Sequence, residues 1–402
     1  MFLSNNFLIS KNFKFFISGY FISIIGSWIQ TAGQMWLVYK LTKSAFYLGL
    51  FSFLTSSLIL FFVLLGGFLI DTIDRKQLMI LITLFSIFPS LTLGILIQIN
   101  IINFWYLTVL VFLYNSISTL EIPLRQVFVS EIVPLQLITK GIAFQSLAYN
   151  FARLVGPFLS SLILTYSKVY NCFYLNALSA AIFIIFLKFV TPEFKREKKI
   201  LFSQNFKETL KLTLSFLKRK EINRVLLSVI SYTFFGNSII IIFPYIANKV
   251  YGKDPKEFTY LLTAVGLGAV LGAIQVILKN GIKNEVSHLW KATVILALGI
   301  LGLSFSKMWT LALIFSFLIG FSFSNFFPVA NGFLQKSTPD YLRGKIISLF
   351  TLAYLGTFPL GDLTIGFLTE ILGIYLIIFY VILLLTFNKL LLSSIVSREL
   401  YV

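Results

Sequence analysis

Runs of about 20 apolar residues recur along the chain, separated by short polar breaks. Each run is long enough to cross the roughly 30 Å hydrocarbon core of a bilayer as a helix. The pattern predicts twelve spans: Phe13–Tyr39, Phe46–Ile70, Leu78–Gln98, Phe104–Ile122, Thr139–Tyr166, Asn171–Val190, Val225–Ala247, Thr259–Leu278, Leu289–Ser306, Trp309–Phe333, Ile346–Glu370 and Ile374–Leu392. The break at Thr191–Arg224 differs from the others in being long and rich in Lys, Arg and Glu. It divides the chain into residues 1–190, a basic linker over 191–224 with a surface helix expected at Gln204–Lys220, and residues 225–402. Phe13–Val38 lacks a small-residue cleavage site and is too long for a signal peptide, so it reads as the first span.

The two halves repeat each other. At a constant offset of 205 residues, Phe112 meets Phe317, Pro123 meets Pro328, Phe128 meets Phe333 and Pro134 meets Pro339. Leu147-Ala148-Tyr149 then meets Leu352-Ala353-Tyr354, Gly156 meets Gly361, and Gly67 meets Gly272. Two copies of one six-helix unit follow, so the expected fold is an all-α membrane protein of twelve transmembrane helices in two pseudo-symmetric six-helix bundles.

Composition agrees with the pattern. The chain is 58% hydrophobic and 12% charged, with mean hydropathy +0.91, where a soluble domain carries about 25% charge. The net charge of +18 would suit nucleic acid, but its distribution explains it otherwise. Of the 33 Lys and Arg, 25 fall on the termini and even-numbered loops, 7 on odd-numbered loops, and Arg153 lies within a span. Cationic loops stay on the cytoplasmic side, so both termini are expected there, in a multi-pass plasma (inner) membrane protein that meets anionic lipid but no nucleic acid. The single Cys172 excludes an internal disulfide, and with one histidine, His288, no metal site or Cys–His nucleophile is expected. No P-loop pattern is present, so no ATP-driven step is expected of this chain. With no His–acid cluster and no soluble domain large enough for a separate active site, neither enzyme chemistry nor a bound cofactor is expected.

The polar residues inside or beside the spans are the candidate site. The turn Gly66–Lys76 reads G-G-F-L-I-D-T-I-D-R-K. Gly67 permits close backbone approach; Asp71 and Asp74 are acceptors, and Arg75 and Lys76 donors. Glu131 lies on the same side as Arg75, and a contact between them would latch two loops. Gln30 and Gln34, four apart in the first span, share a face and are candidates for a polar cavity, as are Asn150, Asn237 and Asn325; an interhelical hydrogen bond is the alternative. Glu121 and Arg125 are spaced to pair, which competes with a proton-carrying role for Glu121. The fifth span carries N-F-A-R-L-V-G-P, with Asn150, Arg153, Gly156 and Pro157 in register, where glycine and proline thin and bend a helix. Before the eleventh span stand Arg343, Gly344 and Lys345. Deep within that span is Asp362, an acid too costly there to be incidental, so either a coupling site or the partner of a cation.

These motifs resemble the major facilitator superfamily. The turn follows its G-x-x-x-D-R-x-G-R-R pattern, with Thr72 and Asp74 as departures, and N-F-A-R-L-V-G-P is similar to the fifth-helix signature of its antiporters and exporters, with Ser160-Ser161 where small glycines often follow. The stretches Gly26–Gly49, Gly66–Lys76, Pro123–Pro157 and Gln335–Gly366 look like the branch of enterobactin exporters, macrolide efflux proteins and transmembrane secretion effectors. The resemblance implies a monomeric secondary transporter, driven by protons and exporting a small amphipathic substrate by alternating access. It implies a gate built from Gly67, Asp71, Arg75, Lys76, Glu131, Arg153, Gly156, Pro157, Arg343 and Gly344, with Asp71 available to Arg343. It also implies proton carriage by Glu121 or Asp362. A lysophospholipid flippase of the same branch and a transport-dead sensor or scaffold remain open.

Overall fold

The computed structural model describes residues 10–58, 61–62, 73–134, 137–194, 219–278, 284–339 and 343–399, and among them there is no strand. The helices are α1 (Lys11–Thr42), α2 (Ala45–Ser56), α3 (Arg75–Gln98), α4 (Phe104–Ile132), α5 (Ile138–Tyr166), α6 (Tyr170–Lys188), α7 (Lys220–Ser231), α8 (Phe243–Lys249), α9 (Phe258–Leu278), α10 (Glu285–Phe305), α11 (Trp309–Lys336), α12 (Arg343–Leu355), α13 (Phe358–Leu372) and α14 (Leu376–Glu399). One π turn (Tyr232–Gly236) and a 3-10 segment (Asn237–Ile242) join α7 to α8 in one long rod. Ten helical stretches among the described residues are long and apolar enough to span a bilayer, and two shorter apolar helices, 45–56 and 377–393, accompany them. That number is compatible with twelve spans.

Polar side chains start several helices by accepting a backbone N–H that the helix itself leaves without a partner. Asp74 accepts from Gln77 N at 2.9 Å, Asn103 from Tyr106 N at 2.8 Å, and Asn284 from Ser287 N at 2.8 Å. Two boundaries differ from those read in the sequence. The rod of the seventh span begins at Lys220, inside the expected linker, because Ile222, Val225, Leu226 and Val229 make one apolar stripe on its first turns while Glu221 and Arg224 carry the charge. The eleventh span is two helices, broken between Leu355 and Phe358; Pro359 has no N–H to extend a preceding helix and starts a new one instead. The part of the second span after Phe62, and the surface helix expected at Gln204–Lys220, lie almost wholly outside the described residues.

The 205-residue repeat carries through to the elements: α4 begins at Phe104 and its counterpart α11 at Trp309, and α5 begins at Ile138 and its counterpart α12 at Arg343. Two compact units result, one of residues 1–42 and 54–200, the other of 43–53 and 201–402. The first unit closes around Phe13, Phe16, Met79, Phe128 and Phe183, all nearly or fully buried. The second packs α9 against α11 through glycines. A Cβ on Gly320 would lie 1.8 Å from the Val265 carbonyl oxygen, and one on Gly268 2.0 Å from that of Phe317. Only hydrogen at these positions lets the two backbones approach so closely.

Candidate functional site

In the first unit, charged and amide groups gather where helices begin and end. Arg75, the first residue of α3, gives Nη1–H to Glu131 Oε1 at 2.5 Å at the end of α4, with both side chains about a tenth exposed. The Glu131 carbonyl also accepts the N–H groups of Glu193 and Phe194 at 3.0 Å. Asn12 of α1 joins the same strip, donating to Glu193 Oε1 at 2.6 Å and accepting from Thr191 N at 3.0 Å. Lys76 donates to the Lys188 carbonyl at 3.2 Å, at the C-terminal end of α6, where a cation is favoured. The contact between Arg75 and Glu131 that the loops suggested is therefore present. Gly67 and Asp71 lie outside the described residues, as do the side chains of Arg343 and Gly344.

A second charge cluster sits deeper in this unit. Glu121 accepts from Arg125 at 2.6 Å, and the Arg125 guanidinium lies over the rings of Tyr20 (4.9 Å) and Phe183 (5.4 Å). The Thr83 hydroxyl lies 3.0 Å from Glu121 Oε1 and 2.8 Å from the Met79 carbonyl oxygen, between which its one proton is shared. Each charge there has a partner, so the pair that the i,i+4 spacing allowed is formed. Gln30 is fully buried, its Oε1 accepting from Asn176 at 2.8 Å; the same Asn176 amide donates to Ser90 at 3.1 Å. Among the described residues the Gln30 Nε2 has no partner. Gln34 is buried as well, while Asn150 donates to its own helix, at the Ser146 carbonyl, 2.9 Å away. Arg153 stands over Trp28 at 5.7 Å, with Tyr149 edge-on to the same indole. Gly156 takes α5 onto α1: a Cβ there would lie 2.3 Å from the Trp28 Cβ. Pro157 is accommodated within a continuous α5.

The second unit repeats the glycine contact and adds an acid. Gly361, the counterpart of Gly156, brings α13 onto the rod of α7 and α8; a Cβ would lie 2.2 Å from Ser238 Oγ and 2.8 Å from the Phe234 carbonyl oxygen. The next residue, at the place of Pro157, is Asp362. It is fully buried, and Ser52 of α2 donates to its Oδ2 at 2.5 Å. Ser238 lies beside the carboxylate, but its hydroxyl donates to the Thr233 carbonyl at 3.2 Å, and Oδ1 has no hydrogen-bond partner among the described residues. No cation within ion-pair distance of Asp362 is found among the described residues, so of its two alternatives the structure lacks the cation partner there. Asn237 is buried at the start of the 3-10 segment. Asn325 Oδ1 is 3.0 Å from His288 Nε2, and its amide donates to the Phe321 carbonyl at 2.9 Å.

Sequence reasoning missed Ser52, Asn176, Thr83 and Glu370. Glu370 had a faint signal, as an acid at the predicted end of a span. The others are ordinary small polar residues whose importance depends on a partner more than 35 positions away.

The chain matches the transmembrane secretion effector family over residues 7–400. It is similar to a staphyloferrin A transporter of Staphylococcus aureus, 25% identical over 90% of each chain, and to the multidrug efflux pump Tap of Mycolicibacterium fortuitum, 25% identical over 31% of this chain and 30% of that one. Among solved structures it resembles a D-xylose–proton symporter with a TM-score of 0.73, covering 96% of this chain and 97% of the other at 13% identity, which speaks to the fold. The helix order, the repeat and the family match over nearly the whole length agree: the chain is a member of the transmembrane secretion effector family, within the major facilitator superfamily of transporters.

Proposed function

We propose that this transporter is a proton-coupled exporter of a small amphipathic molecule, siderophore-like or drug-like, and that Asp362 carries the coupling proton. The observation that carries the reading is the Asp362 carboxyl: fully buried, 10 residues from the end of its span, with one hydroxyl donor and one oxygen left without a partner. An ionised carboxylate in hydrocarbon costs several kcal/mol unless it is paired, and a proton removes that charge. Glu121 is the weaker carrier, since its carboxyl is already paired with Arg125. The names of the staphyloferrin A transporter and the efflux pump support a substrate of either kind.

In the same reading the protein is a monomer in the plasma membrane with both termini cytoplasmic, an orientation supported by the 25 to 7 bias of cationic residues. Residues 1–190 and 225–402 act as two bundles joined by the basic linker 191–224. Arg75, Lys76 and Glu131, with Gly67, Asp71, Arg343 and Gly344, form the cytoplasmic gate, and Arg153, Gly156 and Pro157 shape the fifth span. Gln34, Asn150 and Asn237 are the amides left to meet substrate. The test is efflux of siderophores, macrolides, dyes and lysolipids from energised vesicles with and without an uncoupler. Asp362→Asn is expected to lose uphill efflux and keep downhill exchange. Uphill efflux at the normal rate by Asp362→Asn would overturn the assignment, and movement of lysolipids alone would favour a flippase.

A further inference from the structure

Asp362 is one end of a longer contact. Within the second unit, α2 runs antiparallel to α13, and three positions spaced four residues apart along α13 each meet it. Asp362 meets Ser52. Gly366 meets Gly49 and Ala45, with a Cβ on Gly366 reaching 3.0 Å from Gly49 Cα and 2.6 Å from the Ala45 carbonyl oxygen. Glu370 meets the first turn of α2: one carboxylate oxygen accepts from Ser44 Oγ at 2.9 Å, Ala45 N at 2.8 Å and Phe46 N at 3.3 Å. A glycine contact is thus bracketed by two carboxylates, each held by a serine of the α2 segment. They differ in access to water, since Asp362 is fully buried and Glu370 is exposed.

We propose that Glu370 is a second proton-accepting residue of the transporter, and that its protonation releases the start of α2 from α13. The inference rests on the reading above that protons drive transport. In its charged form Glu370 supplies an anion to backbone N–H groups at a helix N-terminus, the arrangement that strengthens both the hydrogen bonds and the interaction with the helix dipole. A proton carried on the other carboxyl oxygen removes the charge and leaves Oε2 a neutral, weaker acceptor for the three donors it holds. The Gly49–Gly366 contact has no side chains to interlock, so its hold depends on what brackets it. On the cytoplasmic-termini orientation this end of α13 faces the exterior, and of the two carboxyls on this contact Glu370 is the one nearer it. The charged and titratable groups around it are few. Tyr245 of α8 is close enough to feel its charge, Lys43 directly precedes Ser44, and Tyr47 lies one turn into α2. Tyr380 of α14 packs instead on Phe234 and Phe235.

The rings of Phe46 and Phe367 lie 6.0 Å apart across the same contact and report on it. Cysteines placed at both positions, in the full-length protein in membrane vesicles, would be joined with a short bifunctional thiol reagent over a range of pH. Cys172 is fully buried and serves as the unreacted background. Relative to the yield in Glu370→Gln, which keeps an acceptor oxygen, never ionises and shows only the pH dependence of the thiols themselves, the parent's cross-link yield is expected to fall several-fold as the pH is lowered. Ser44→Ala, which removes one donor and leaves the titrating group, is expected to lower the yield while keeping its pH dependence. A yield in Glu370→Gln that still follows pH as in the parent would overturn the proposal. Asp362→Asn in the same background separates the two readings. Loss of uphill efflux with the pH-dependent cross-link retained supports both. Uphill, uncoupler-sensitive efflux by Asp362→Asn at the normal rate, with that cross-link retained, defeats only the coupling role of Asp362.

Discussion

At the residue scale, the polar groups divide by whether their charge is answered. Arg125 and Glu121 are the clearest answered pair, about a tenth exposed and bonded at 2.6 Å. Removing one member of such a pair leaves the other buried and uncompensated, at a cost of about 3–5 kcal/mol, whereas removing both is far milder. Arg125→Ala is therefore expected to lower the melting temperature in detergent strongly, and Arg125→Ala with Glu121→Gln to recover most of the loss; equal destabilisation by the two variants would show that the aromatic stack on Tyr20 and Phe183 matters more than the charge. Arg75 and Glu131 allow a different check. Glu131→Gln is expected to impair transport, and the exchange Arg75→Glu with Glu131→Arg to restore part of it, measured as efflux at matched protein abundance. Cys172 is fully buried beside Gly33, so the folded protein is expected to resist maleimide labelling until it is unfolded. The spacing of Glu121 and Arg125, and the placing of Arg75 near Glu131, could be read from the chain because both follow from helix geometry and loop side. The bond between Gln30 and Asn176 could not, because 146 positions separate the two and nothing local distinguishes either amide.

At the element scale, glycine decides which helices touch. Gly320 and Gly332 lie on the same helix, α11, yet a Cβ on the first would strike the Val265 carbonyl oxygen while one on the second meets nothing within 4 Å. Gly320→Ala is expected to destabilise the protein by at least about 1–3 kcal/mol, as overpacking does. Gly332→Ala is expected to be neutral or to stabilise by about 0.5–1 kcal/mol through the gain in helix propensity. Thermal melts of the two variants, side by side, check this, and equal effects would refute it. The same logic links Gly156 with Gly361. The repeat places them at one position of the unit, and in both units that position lets the fifth helix of the copy lie against the first. The sequence marked these glycines as points of close approach, but which neighbour approaches was decided by packing. It also did not foresee the break between α12 and α13. Gly356 and Pro359 are both in the sequence, but the matching α5 contains Pro157 and stays continuous. Proline permits a break; the surrounding helices determine whether one forms.

At the scale of the whole molecule, the repeat and the charge bias make predictions that no single residue makes. The orientation requires that a cysteine introduced near Asn100, between α3 and α4, be labelled by an impermeant thiol reagent added outside intact cells, and that one within 191–194 be protected. The opposite pattern would invert the orientation and with it the side from which protons reach Glu370. The two compact units do not divide at the basic linker alone. Residues 43–53 group with the second unit although they lie in the first half of the sequence, through the Ser44, Gly49 and Ser52 contacts with α13.

What the sequence determined by itself was the solvent and the periodicity. Apolar runs of membrane length, their number, the two-fold repeat and the side of each loop all follow from local composition and spacing, because a bilayer imposes its thickness and its charge preference on every helix separately. The tertiary structure decided which buried polar groups are satisfied. Glu121 and Asp362 are both acids within or near spans, and the chain alone left both as possible proton carriers. Glu121 has Arg125 one turn along its own helix, legible in the spacing, and folding added Thr83 from α3; Asp362 has no such local cation, and folding brought it a serine from 310 positions away. A charge in hydrocarbon is stable or costly according to its immediate neighbours, and those that are not local are supplied by other helices.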